Sequence, residues 1–180
     1  MTPHKQKGIA PRLAAARILF LILIRQCPLQ TALAREAAWQ DLPGNDRALA
    51  RNIVMTALRW QGLLRNVLKQ SLAKPLPDEA MIVLHVALAE IFKMDTPAHA
   101  ATAVAVDAIK TRWPGLGGTA NAVLRRTLRE QEALLEQYGA PLQQWPEWYT
   151  GALVEAYGRE TASAIAAACT HPAPLDLTVF

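Results

Sequence analysis

The chain is 180 residues long and poor in the residues that build compact chemical sites. It has two cysteines, Cys27 and Cys169. Neither stands in a CxxC pair or beside paired histidines, which excludes zinc-ribbon and thioredoxin-like chemistry at these positions. Both read as small buried apolar residues, and their scarcity suits a reducing compartment. Histidines number four. His85 lies midway along an apolar stretch with no second ligand at metal spacing, so a core histidine is expected. His99, two residues after Pro97, is expected to bond backbone near a helix start. The chain carries no HExxH, no Ser–His–Asp order and no carboxylate dyad. No metal, catalytic residue or cofactor is therefore assigned to it.

A long hydrophobic run is also missing. "ILFLILI" (18–24) is bracketed by Arg17 and Arg25, whereas a membrane-spanning helix needs about 20 apolar residues. Lys5, Lys7 and Arg12 before it, and "TALA" (31–34) after it, imitate a secretory signal. A charge directly behind so short a core argues against one. The expectation is a cytoplasmic protein with no membrane partner.

Glycine clusters once, in "GLGGTANAVLRR" (115–126). A Walker loop needs GxxxxGK[ST] after a strand, and a dinucleotide fingerprint needs a strand–turn–helix unit. Here no lysine follows, and the preceding segment reads as helix. Gly115, Gly117 and Gly118 are instead expected to supply positive φ angles in a tight reversal between helices.

What is present is apolar helical pattern: 52% of residues are hydrophobic, enough for a sizeable core. "PRLAAARILFLILIRQ" is apolar nearly all round, as a surrounded central helix would be, with Pro11 as its first residue. A second helix follows Pro28. Pro43 and Gly44 break the chain, and Asn45 or Asp46 is expected to cap the next run. That run is one long helix or two kinked near Gly62. "PDEAMIVLHVALAEIFKM" opens with acids in its first turn and reads as a second central helix. Thr96 caps a helix with Pro97 at its first position, and Thr119 caps another that closes at Gly139. Two shorter helices follow, in "PEWYTGALVEAYG" and "RETASAIAAACT". Leu175, Leu177 and Val179 alternate like a strand. The fold class is all-α, a bundle of about eight helices with a short extended segment at the C-terminus.

Lysines and arginines number 19 against 15 acids, a net charge of +4. This mild excess fits an RNA or DNA partner without requiring one. Lys5, Lys7, Arg12 and Arg17 concentrate charge at the N-terminus. Arg47, Arg51 and Arg59 follow a four-residue ridge with Met55 between them. Arg126 can pair with Glu130, and Arg129 with Glu132, whereas Arg125 has no acid at matching spacing. The candidate RNA-contact residues are Lys5, Lys7, Arg12, Arg17, Arg47, Arg51, Arg125 and Arg126. A solvated face with local ion pairs accounts for the same residues.

"NDRALARNIVMTALRW", "PAHAATAVAVDAIKTRWPGLGGTANAVLRR" and "HPAPLDLTVF" resemble, in that order, the N-terminal region of the ribosomal-RNA small subunit methyltransferase B family. "PAHAA" and "TANAVLRR" are the most specific pieces. The resemblance implies a helical RNA-binding fold like that of the antitermination factor NusB. It places ahead of this fold's partner, a catalytic domain, a helical module that positions 16S rRNA for methylation of cytidine C5. The implied donor is S-adenosylmethionine, and the implied catalysts are two cysteines beside a DxCAAPGGKT-like motif. Cys27 and Cys169 match neither cysteine, and that motif does not occur here. NusB carries a denser arginine motif on its first helix, where this chain keeps Arg12 and Arg17, about 140° apart.

The implied organisation is a basic tail over 1–10, a NusB-like RNA-binding domain over 11–139, and a helical linker over 140–180 leading into a methyltransferase domain. Ribosomal RNA and that catalytic domain are the expected partners. A stand-alone NusB-like antiterminator and a protein-interaction bundle are the alternatives.

Overall fold

Prolines decide where half of the helices begin. In the computed structural model, which describes residues 8–173, five helices start directly after a proline held in extended conformation: Pro28, Pro43, Pro77, Pro97 and Pro146. Each ring sets φ, and each carbonyl accepts an early helical hydrogen bond, as from Arg47 N–H to Pro43 at 2.8 Å. Thr96, Asn45 and Asp46 are therefore displaced as caps.

The helices are α1 (Ile9–Leu23), α2 (Leu29–Arg35), α3 (Ala37–Gln40), α4 (Gly44–Arg59), α5 (Gln61–Ser71), α6 (Asp78–Lys93), α7 (Ala98–Arg112), α8 (Gly117–Arg129), α9 (Gln131–Tyr138) and α10 (Glu147–Thr170). Among the described residues there is no strand. The all-α class holds, with ten helices among the described residues where about eight were expected. The extra elements arise because long periodic runs break: at Glu36, at Trp60 and at Glu130. Gly158, at φ 78°, divides α10 into the two helical pieces its sequence implied. The alternating segment at 175–179 lies outside the described residues.

Two expectations about particular residues are corrected. Pro11 sits in the first turn of α1 but not at its start, which is Ile9 behind Gly8. Thr119 lies inside α8, whose first residue is Gly117. The three clustered glycines also keep negative or unexceptional backbone angles, since the positive-φ glycines among the described residues are Gly8 and Gly158. Gly117 is instead small because the Lys110 side chain crosses it, 3.2 Å from where a Cβ would stand.

α6 is the buried centre. Its residues from Leu84 to Phe92 are all buried, and α1, α4 and α7 pack around it. α1 buries Ala14, Ala15, Ile18 and Leu19 but leaves Leu13, Phe20 and Leu21 partly open. It is thus covered on some sides rather than surrounded. Between α9 and α10, a 3₁₀ turn at Pro141–Gln144 fastens onto α5. Gln144 is buried there, accepting from Leu63 N–H at 2.9 Å and donating to the Tyr138 and Ala140 carbonyls. It satisfies one of the donors that the start of α5 leaves free.

Candidate nucleic-acid interface

The basic residues singled out above meet different fates. Lys5 and Lys7 lie outside the described residues. Arg12 turns inward, where its Nε and Nη2 donate to the two Glu90 carboxylate oxygens at 2.8 and 2.6 Å. Glu90 is fully buried and Arg12 is 11% exposed, so this guanidinium balances a core charge. Its Nη1 also closes onto the Gly8 carbonyl. Arg17, about 140° further round α1, points outward with its side chain 62% exposed. Its contact to Glu36 is long, at 3.5 Å.

Arg47 donates through Nη2 to the carbonyls of Gln40 and Leu42 at 2.7 and 3.0 Å. It thereby closes the end of α3 and holds it to the start of α4. Arg51, one turn on, is exposed and makes no ion pair among the described residues. Arg126 and Glu130 form the expected pair one helical turn apart, with Nε 2.9 Å from Oε2. Arg129 and Glu132 do not pair, because α8 stops between them and the helical spacing lapses. Arg125 is exposed and lines a cleft of about 390 Å³ between α7 and α8.

Cations that periodicity could not group are gathered by the fold. A groove of about 570 Å³ runs between α1, α6 and α7, with Leu13, Phe20 and Trp113 among its apolar lining. Arg17, Arg35 and Arg112 stand around it, facing Glu36 and Glu79. On another side, Lys93 lies over the Trp60 ring, 3.4 Å from its centroid, where partial burial lowers its pKa. Arg59 and His171 share that cleft. These residues come from separate elements, so no spacing in the sequence announces them.

His85 is buried, as expected, and its Nδ1 donates to the Met81 carbonyl at 2.9 Å. Burial, its largest influence, lowers its pKa from the ordinary 6.5, and Arg65 lowers it further. His99 is exposed, and its ring makes no hydrogen bond to backbone among the described residues, contrary to expectation. It lines the α7–α8 cleft instead. Cys27 is buried, but Cys169 is exposed on α10, correcting its reading as a core residue.

Exposed aromatics lie towards the end of the described chain. Trp148 is 75% exposed and Tyr157 60%, with Tyr149 packed edge-on between Trp145 and Trp148. No described helix is long and apolar enough to cross a membrane.

A sequence model of the NusB family matches residues 9–129. Over nearly its whole length the chain is similar to proteins named ribosomal RNA small subunit methyltransferase B. That of Xylella fastidiosa (strain Temecula1) is 36% identical over 177 residues, covering 96% of this chain and 39% of the relative. Those of Vibrio vulnificus and Thermus thermophilus are 34% and 32% identical, covering 93% and 94% of this chain. The chain spans about two fifths of the length of these relatives, at 39, 40 and 41%.

Proposed function

Since the chain belongs to the NusB family, we propose that it is the RNA-binding and positioning part of an rRNA cytosine-C5 methyltransferase. The observation that carries this reading is the extent of similarity: relatives named as rRNA methyltransferases match not only the NusB-like residues but 93–96% of the chain. In this reading residues 11–139 bind ribosomal RNA in the cytoplasm, and residues 140–180 lead towards the catalytic part. The contacts are to phosphates, made by exposed cations such as Arg17, Arg51 and Arg125, with Lys5 and Lys7 adding charge. Arg12 and Arg47 are engaged within the fold, and Arg126 is held by Glu130.

Methyl transfer belongs to the remainder of the longer protein. The cluster at Gly115, Gly117 and Gly118 does not fit S-adenosylmethionine: it forms a 3₁₀ turn and helix start, with the Lys110 side chain over Gly117. The exposed Trp148, Tyr149 and Tyr157 lie beyond residue 129, outside the NusB match. Aromatics of this kind anchor protein interfaces, which supports docking of α10 on the catalytic part.

Titrating the chain with an rRNA hairpin at rising salt tests the RNA contact. Binding should weaken linearly on logarithmic axes, with a slope near −0.9 per duplex phosphate neutralised. Absence of binding even at low salt would overturn the reading.

A further inference from the structure

We propose that the cleft between α7 and α8 is a site for one nucleotide of single-stranded RNA, with Arg125 holding its phosphate. This deepens the RNA-positioning reading and rests on it. The walls of the cleft come from the two most distinctive stretches of the sequence. "PAHAA" contributes His99, and "TANAVLRR" contributes Asn121 and Arg125. The two stretches are some twenty residues apart in the chain, and the tight turn at Pro114–Leu116 folds α8 back on α7 to bring them together.

Three features of the cleft point to a ligand. Its volume, about 390 Å³, falls within the range of small-molecule sites. Arg125 is exposed and forms no ion pair among the described residues, while the adjacent Arg126 is held by Glu130. Thr102 also lines the cleft, and its hydroxyl, buried in the wall, has no hydrogen-bond partner. A helical threonine commonly satisfies itself on the carbonyl one turn back, as Thr111 does on Asp107 at 2.8 Å. Thr102 does not, which leaves an unspent donor and acceptor in the wall of the cleft.

The mixture of groups favours a nucleotide over an acidic peptide. Arg125 and His99 suit a phosphate, and Asn121 can donate to or accept from a base edge. Asp107, in the same cleft, can accept from the exocyclic amine of a base, a donor that an acidic side chain does not offer. Ala103, Val106 and Leu128 give an apolar lining against which a base can lie. A divalent cation has no matching ligand set, since no group of three His, Cys, Asp or Glu side chains forms among the described residues.

Adjacent arginines make the test internally controlled. Fluorescence anisotropy would follow binding of a fluorescein-labelled, mixed-sequence single-stranded hexaribonucleotide to the 180-residue chain at low salt. Arg125→Gln and Arg126→Gln remove the same charge from neighbouring positions. The cleft predicts that Arg125→Gln weakens binding about tenfold and lowers the salt slope by about one, against less than about twofold for Arg126→Gln. Asn121→Ala should weaken binding by a smaller factor while circular dichroism stays unchanged. Equal losses in the two arginine variants would mean unlocalised charge attraction and overturn the site. So would wild-type binding that Arg125→Gln leaves intact, or tighter binding of a labelled polyglutamate peptide. A wild-type chain that binds neither the hexamer nor an rRNA hairpin overturns the broader RNA reading itself.

Discussion

Arg12 and Arg17 have the same side chain on the same helix, yet their roles differ because of where α1 turns them. Arg12 faces α6 and neutralises Glu90, a carboxylate 78 residues away in the chain and fully buried. The core tolerates that charge only because two guanidinium nitrogens complete it. Arg12→Met should cost about 3–5 kcal/mol, since it strands a buried carboxylate. Arg12→Met with Glu90→Met should recover most of that loss, which urea unfolding of both variants would measure. Recovery that fails to appear would mean that Arg12 acts through other contacts. Nothing in the spacing of Arg12 distinguishes it from a surface cation, because its partner lies on a helix whose position the local sequence does not state.

At the scale of elements, the fold depends on a few close approaches. Gly62 is the second residue of α5, and an added Cβ there would collide with the Gln143 carbonyl and stand 2.8 Å from the Gln144 Cα. Those are backbone atoms, in a turn whose Gln144 accepts from Leu63 N–H of α5 and donates to the Tyr138 and Ala140 carbonyls. Gly62→Ala should therefore destabilise by about 2 kcal/mol, although alanine is the better helix former. Gly118 makes the matched comparison: it is helical, with nothing within 4 Å of its Cβ position. Gly118→Ala should stabilise by about 0.5–1 kcal/mol. Thermal melts of the pair give opposite signs if the approach of the turn to α5 is as close as described. The sequence marked Gly62 as a kink between helices. That the glycine also admits a distant turn is visible only once residues 141–144 are in place.

Global stability should carry the signature of one buried histidine. His85 has a folded-state pKa lowered below 6.5, chiefly by burial, so the folded protein favours its neutral form. The unfolded chain then binds the extra proton as pH falls. Its contribution to stability is complete above pH 6.5 and erodes from there down towards the folded-state value, below which it flattens. The slope from this group is at most about tenfold in the unfolding constant per pH unit. His85→Gln, which keeps a donor for the Met81 carbonyl, should lose that component. Unfolding curves between pH 7 and 5 would show it as a shallower decline than in the wild type. Identical pH profiles in the two proteins would mean that His85 does not couple to folding.

The amino-acid sequence by itself determined the all-α class, the two strongly apolar helices and most of the breaks between elements. Those properties are local: proline fixes φ, and apolar periodicity declares a buried face. It also singled out "PAHAA" and "TANAVLRR" as the distinctive stretches. The tertiary structure alone decided which cations are available. It turned Arg12 onto Glu90, set Arg47 on the end of α3, and left Arg125 open in a cleft beside Thr102 and His99. It also exposed Trp148 and Tyr157 on α10. Availability of a charge depends on what stands opposite it, and for these residues the opposing group comes from another helix or from none.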